Sequence, residues 1–365
     1  VNPRLDHFPP GSENFIDHPS HAKPGIHVYP DRLYVLTMLE NPIRWRSRYQ
    51  NFSQFQRMVD ESGAILYVAE VAFENRAFEI TDAGNPRHLQ LRAESEVWRK
   101  ENTLNLLAAR LPPDCQKLAT LDADVEFARR DWAQEILHQL AHYDVIQPFS
   151  HAINLDSNAA PQDDVPPTSF MFRWCENGIA PHSPDFMEDR PVIWTTKGVK
   201  RDHEAPTKNG YPGVEGIQKW HPGLAWAFRK SAWDALGGMP DWLITGSGDW
   251  FLANALIGHL MAALDQRHTD SYKRWCQILQ DRCVPIRDNP EGGLGYMPGL
   301  ILHRYHGTHR NRMYEKRHEF VINCGFDPEL DLKRDWQGLW QLTGRNPRLR
   351  DGLRVYNRSR NEDGE

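Results

Sequence analysis

"LATLDADVEF", residues 118–127, opens on a largely apolar run from Leu118 to Leu121, sets two carboxylates, Asp122 and Asp124, either side of Ala123, and turns apolar again at Val125 and Phe127. The apolar run reads as a buried strand, so the two acids at its end need a reason. Upstream, "RLYVLTMLE" (32–40) is a strand ending at Asn41-Pro42, and "RYQNFSQFQRMVDESG" (48–63) is a helix closed by Gly63. "AILYVAEVAF" (64–73) is a second strand, "AESEVWRKENTLNLLAARLP" (93–112) a second helix, and "CQKLATLDADVEF" (115–127) a third strand. Behind it, "DWAQEILHQLAHYDVIQPF" (131–149) predicts a helix returning to a fourth strand. This alternation is the mark of the α/β class, with a mostly parallel central sheet flanked by helices. Such sheets bind ligands beyond the carboxyl ends of their strands, where Asp122 and Asp124 fall. In an extended segment residues two apart project from one face, so both acids can act on one ligand, as hard oxygen donors to a divalent cation on a diphosphate or as partners of a ribose. The competing reading is a turn after a strand.

Composition narrows the remaining classes. A chain of 365 residues, 40% hydrophobic and 11% aromatic, can build one large α/β domain with elaborated loops. The formal charge of -6 argues against a broad basic face that coats nucleic acid. Five cysteines with no CxxC pair suit a reducing compartment, which predicts a cytoplasmic protein. No secretory leader is evident in "VNPRLDHFPPGSENF". The most apolar run, "WFLANALIGHLMAAL" (250–264), is shorter than the roughly 20 residues that span a bilayer and reads as a core helix.

From about residue 32 to residue 318 the chain resembles nucleotide-sugar glycosyltransferases of the GT-A type, close to family-2-like enzymes and, in its second half, to the β-galactosyltransferase group. "LDADVEF" matches the DxD of that family, and "WHPGLAWAFRKSAWDALGGMPDW" (220–242) is similar to the glycine-led donor floor followed by a Gly-Gly turn. "ITGSGDWFLANAL" (244–256) occupies the place of the motif that carries the catalytic carboxylate, and "HRYHGTHRNRMYEKR" (303–317) that of the segment whose histidine completes the metal site. The resemblance implies a single Rossmann-like GT-A domain over 31–325, with a nucleotide-binding half (31–150) and an acceptor and catalytic half (151–325). An irregular arm (1–30) precedes it, and a helical extension with a tail (326–365) follows. It further implies Mn²⁺ or Mg²⁺, a nucleotide-diphosphate sugar as donor, and a glycan, a protein or a hydroxylated DNA base as acceptor, in a bacterial cell or a phage-infected host. A nucleotidyltransferase of similar sheet topology and a non-catalytic nucleotide-sugar binding module are the alternatives.

Asp249 then stands as general base for an inverting transfer, against a structural role as helix N-cap. An acidic pair is common at that place in the galactosyltransferases, and here there is only Gly248-Asp249. His306 matches the family's metal position best, with His303 in reserve; Asp124 and Asp122 supply the carboxylates. Arg310 and Arg312 are assigned to the leaving diphosphate, and Lys316 and Arg317 to a solvated helix face. On the second helix Val97, Leu104, Ala108 and Leu111 form an apolar stripe, which leaves Lys100 and Asn102 to face the nucleotide. Gly223 belongs to the donor floor, and Trp226 is predicted to line the sugar pocket while Trp220 and Trp233 are core. The Pro- and Gly-rich stretch 154–218 predicts an acceptor-recognition loop. After Gly325 a Trp-rich helix is expected in "LDLKRDWQGLWQLTG" (330–344), and "NRSRNEDGE" (357–365) reads as frayed.

Overall fold

Val35, Leu36 and Thr37 have no exposed surface, and they sit mid-way along the first strand, β1 (Leu33–Glu40), which is therefore covered on both faces, as a central parallel strand must be. The computed structural model describes residues 31–162, 166–176, 192–195, 198–200, 216–218, 220–307 and 314–364. The arm predicted over 1–30 and much of the loop 154–218 lie outside the described residues. Arg32–Glu365 form one compact unit.

The expected alternation is present. The helix Arg46–Ser62 ends at Gly63, whose φ of 76° is the left-handed closure predicted for it. β2 (Ile65–Phe73) follows, and then a strand without a clear signal in the sequence, β3 (His88–Ala93), half-buried at the sheet edge. The helix Lys100–Ala108 leads to β4 (Lys117–Leu121), β5 (Val125–Phe127), the helix Trp132–Gln139 and β6 (Val145–Gln147). Next come β7 (His151–Asn154), β8 (Thr168–Ser169), the helix Phe170–Glu176, and β9 (Val192–Thr195), β10 (Gly198–Lys200) and β11 (Gly216–Gln218), which pair among themselves. β12 (Trp220–His221), β13 (Ala225–Arg229), β14 (Leu294–Tyr296) and β15 (Leu300–His303) complete the two sheets that build the site.

The larger sheet has the order β14-β6-β13-β4-β1-β2-β3. β1 is parallel to β2 and β4, β2 to β3, and β14 to β6, whereas β13 is antiparallel to both β4 and β6. It is a mostly parallel α/β sheet with one reversed strand. Alternation along β13 shows the two covered faces: Trp226 and Phe228 pack with Leu104, Leu107, Leu256 and Cys276, while Ala225 and Ala227 pack with Phe52, Phe55 and Ile136. The second sheet has the order β12-β8-β7-β15-β5.

Three local expectations are corrected. The stretch 115–127 is not one strand: β4 belongs to the first sheet and β5 to the second, and Asp122 to Asp124 make the turn between them. Residues 330–344 are not a helix. The short helix Pro328–Asp331 is followed by an antiparallel ribbon, β16 (Leu332–Arg334) and β17 (Trp340–Leu342). Its turn forms because the Asp335 carboxylate accepts from the amides of Gln337 (2.8 Å) and Leu339 (3.0 Å), with Gly338 at φ 87°. The predicted core helix 250–264 is divided into Gly248–Leu256 and Leu260–Ala263, with Gly258 at φ 78° between them.

The frayed tail is also corrected. The helix Pro347–Ser359 runs into it, and Glu362 is 1% exposed, paired with Arg48 (2.6 Å) and Arg360 (2.6 Å). Burial alone would raise the Glu362 pKa, but the two guanidinium groups hold it down at about 2. Among the described residues no helix is long and apolar enough to cross a membrane.

Trp226 is fully buried in this packing, with its indole N–H donating to the Pro222 carbonyl at 2.9 Å. Trp226→Ala should cost about 3–5 kcal/mol in urea unfolding, the usual range for emptying a buried aromatic site. A loss below about 1 kcal/mol would show that the side chain does not hold the two layers together.

Candidate functional site

The turn between β4 and β5 places the two aspartates on different partners. β15 lies between β5 and β7, in a register that sets His303 opposite Val125 on one side and Asn154 on the other. His303 is thus brought beside Asp124, whose carbonyl accepts from the Arg304 amide at 2.8 Å. His306, three residues on, turns back to the same point: its Nε2 is 3.1 Å from Asp124 Oδ2 and 3.0 Å from His303 Nε2. His303 Nε2 is 3.8 Å from Asp124 Oδ1. Ligand atoms of the three residues all lie within 4.8 Å of one another.

The tautomer of His303 follows from its other nitrogen. Nδ1 is 2.8 Å from Asn154 Oδ1, and an amide oxygen only accepts, so Nδ1 carries the proton and Nε2 keeps its lone pair. Two imidazole nitrogens 3.0 Å apart, beside a carboxylate, repel unless a proton or a cation lies between them. One oxygen and two borderline nitrogens are a donor set that can hold a divalent transition metal. Both sequence candidates, His303 and His306, are in this cluster.

Asp122 takes a different partner. Its Oδ1 is 2.5 Å from Nζ of Lys100, the first residue of the helix Lys100–Ala108, and the same ammonium is 3.2 Å from Asp249 Oδ2. Asp122 therefore stands outside the Asp124-His303-His306 cluster. Asp249 is not the helix N-cap either; that position belongs to Ser247, at φ 77°, and Asp249 lies in the first turn of Gly248–Leu256. Gly223 has a steric reason: a Cβ there would sit 3.2 Å from Asp249 Oδ2. Burial would lower the Lys100 pKa, but Asp122, Asp249 and Glu101 together hold it well above its ordinary value. Glu101, 2% exposed, moves the other way: burial first, then Asp249 and Asp122, push it up to about 8 against the pull of Lys100.

These groups share one cavity of about 1040 Å³, lined by Lys100, Asp122, Asp124, Gly223, Asp249, His303 and His306 among others. Two sequence candidates are not on its wall. Asn102 is fully buried, its amide donating to the Gly338 carbonyl (3.2 Å) and its oxygen accepting from the Trp340 amide (2.9 Å), so it braces the β16–β17 ribbon. Trp226 is in the core, and so is Trp233, edge-on to Phe228 with ring centroids 5.2 Å apart. Arg310 and Arg312 lie outside the described residues, as do His309 and the side chains of Lys316 and Trp220.

Several cavity residues had no signal in the sequence. Arg317, expected on a solvated face, is half-buried and donates to the Ser247 hydroxyl and, at 3.4 Å, to that of Tyr356. His318 Nε2 is 3.1 Å from the same Ser247 Oγ, and burial, aided by Arg317, lowers its pKa to about 4. Arg48, Arg360 and Glu362 also line the wall. The polar, charged tail gave no hint that it turns inward; the one usable cue was Gly307, which permits a close backbone approach.

No protein-family model matches this sequence, and neither does any curated protein sequence. Among solved structures, the chain is similar to residues 1–349 of Staphylococcus aureus TarS, at 11% identity and TM-score 0.33 over 70% of this chain and 71% of that one. It is also similar to 4-diphosphocytidyl-2C-methyl-D-erythritol synthase from Anaerococcus prevotii, at 12% identity and TM-score 0.28 over 74% and 89%. A third is mouse xyloside xylosyltransferase 1, at 10% and 0.22 over 73% and 84%. Superpositions this loose carry no weight for function.

Glu101 makes stability depend on pH in a direction opposite to most carboxylates. Its pKa is raised in the folded state, so the stability it contributes is complete below about 4.5 and is lost as pH rises through about 8. Urea unfolding at pH 5 and at pH 8.5 should show the wild type losing at least about 1 kcal/mol more than Glu101→Gln across this window. Parallel profiles would show that Glu101 is already ionised when folded.

Proposed function

We propose that this protein is a metal-dependent glycosyltransferase of the GT-A type, moving a sugar from a nucleotide-diphosphate sugar to a hydroxyl on a glycan, a protein or a modified DNA base. The observation that carries the reading is the meeting, in one cavity, of the Asp124-His303-His306 donor set with the Asp122-Lys100-Asp249 chain of charges. The mostly parallel sheet supports it, since β4 delivers Asp122 at its carboxyl end.

Asp124, His303 and His306 would hold Mn²⁺ or Mg²⁺, and the two nitrogens favour Mn²⁺. Bound there, the cation would offset negative charge on the departing nucleoside diphosphate. Lys100 would take a diphosphate oxygen. In the absence of substrate it is shared by Asp122 and Asp249, and an arriving anion would draw it from Asp249. Asp249 then accepts the acceptor's hydroxyl proton as general base, with Gly223 leaving room for the sugar beside it. Attack on the anomeric carbon from the side opposite the leaving group gives inversion. Arg310 and Arg312 keep the diphosphate role assigned from sequence. A cytoplasmic location, in a bacterial cell or a phage-infected host, belongs to the same reading, and the five free cysteines favour it.

A panel of nucleotide sugars with Mn²⁺, read by release of nucleoside diphosphate, tests the proposal. Chelator or Asp124→Ala should lower turnover at least about 100-fold, a scale set by loss of a Lewis acid worth several kcal/mol. Asp249→Asn should lower kcat by about 10²–10⁴ while Mn²⁺ affinity is unchanged. Pyrophosphate released from a nucleoside triphosphate and a sugar phosphate would instead mark a nucleotidyltransferase. Donor binding without turnover, unaltered by Asp249→Asn, would mark a binding module.

A further inference from the structure

His306 has one nitrogen aimed at the cation site and one aimed away from it. Nε2 faces Asp124 and His303, and Nδ1 faces a carboxylate from the far end of the chain, Glu362 Oε2, at 3.9 Å. Histidines that ligate metals through one nitrogen regularly have the other ring N–H oriented by a carboxylate or a carbonyl, and that contact sets both tautomer and ring angle. His303 already shows this arrangement through Asn154. We propose that Glu362 is a positioning residue for the cation site, orienting the Nδ1–H of His306 so that the Nε2 lone pair points at the ion.

The segment around Glu362 is held in place by several contacts. Arg48 meets both carboxylate oxygens, Oε1 and Oε2, at 2.6 Å each, and Arg360 donates to Oε1 at 2.6 Å. Asp363 accepts from the amides of Arg46 (2.7 Å) and Ser47 (2.8 Å), at the start of the helix Arg46–Ser62. The Tyr305 hydroxyl donates to the Gly364 carbonyl at 2.6 Å. Gly307, the residue after His306, has φ 90°, and a Cβ on it would stand 3.0 Å from the Glu362 Cα and 3.2 Å from the carbonyl oxygens of Arg360 and Asn361. The histidine segment and the tail are thus packed backbone against backbone, and two arginines keep the Glu362 carboxylate ionised and immobile beside His306.

The inference rests on the metal-site reading, and the wild type separates the two. Mn²⁺ titration of the wild type followed by electron paramagnetic resonance should show binding, with affinity falling about tenfold to 100-fold in Glu362→Ala. Asp363→Asn, which loosens the same segment without touching His306, should stay within about twofold of wild type, well inside that range. Glu362→Gln, which keeps an acceptor and serves also if Glu362→Ala does not fold, should recover affinity to a loss below about tenfold. Unchanged Mn²⁺ affinity in folded Glu362→Ala, or an equal loss in Asp363→Asn, would overturn the assignment. Wild type that binds no Mn²⁺ would overturn the metal-site reading itself.

Discussion

Two imidazole nitrogens and a carboxylate aimed at one point cannot be left facing each other without a proton or a cation between them, and most of the site's architecture can be read as the means of forcing that meeting. The donors come from two places in the chain, Asp124 and then His303 with His306. Local sequence cannot bring them together. The register of β15 against β5 and β7 does so by setting His303 opposite Val125 and Asn154. The break between β4 and β5 is the other half of the device, because a continuous strand would carry Asp124 along the first sheet and away from β15.

That break also explains why the motif has two acids. Asp122 ends up with Lys100 and Asp249, and Asp124 with the histidines. The turn at Ala123 divides a carboxylate pair between an ammonium and an imidazole cluster, so one cavity wall holds two adjacent but differently charged stations. Burial strengthens both stations, since each charge in such a wall has few waters to share it with. Glu101 behind Lys100 shows the cost: burial, and after it Asp249 and Asp122, push this third carboxylate up to about 8.

Much of the fold was legible because its signals are local. Gly63 closes its helix, and the strands β1, β2 and β4 are apolar runs that could be covered on both faces. Asp122, Asp124, Lys100, Asp249, Gly223, His303 and His306 were all legible as candidates for one cavity, from strand ends, helix starts and the resemblance of four motifs. What failed was the choice of neighbour. Periodicity put Asn102 on a polar face but could not show that β16 and β17 would cover that face, and it could not show that Trp226 points into the core. The ribbon itself was misread because Trp and Leu near Asp335 and Gly338 suit either a helix or two short strands, and the Asp335 turn decides it. Arg317 and Glu362 were invisible for a simpler reason: a polar tail looks unfolded unless its partners are known, and Arg48 is 314 residues from Glu362.

The placement of that tail ties stability to chemistry. A carboxylate buried to 1% exposure is tolerated because Arg48 and Arg360 neutralise it, and removing one partner of such a buried cluster costs about 3–5 kcal/mol. The same contacts seat Gly307 and so hold His306 at the cavity. Loosening the last turn of the chain would then disturb His306 as well as the buried charges. A cavity lined by residues from both ends of the Arg32–Glu365 unit is therefore complete only when the whole unit is folded.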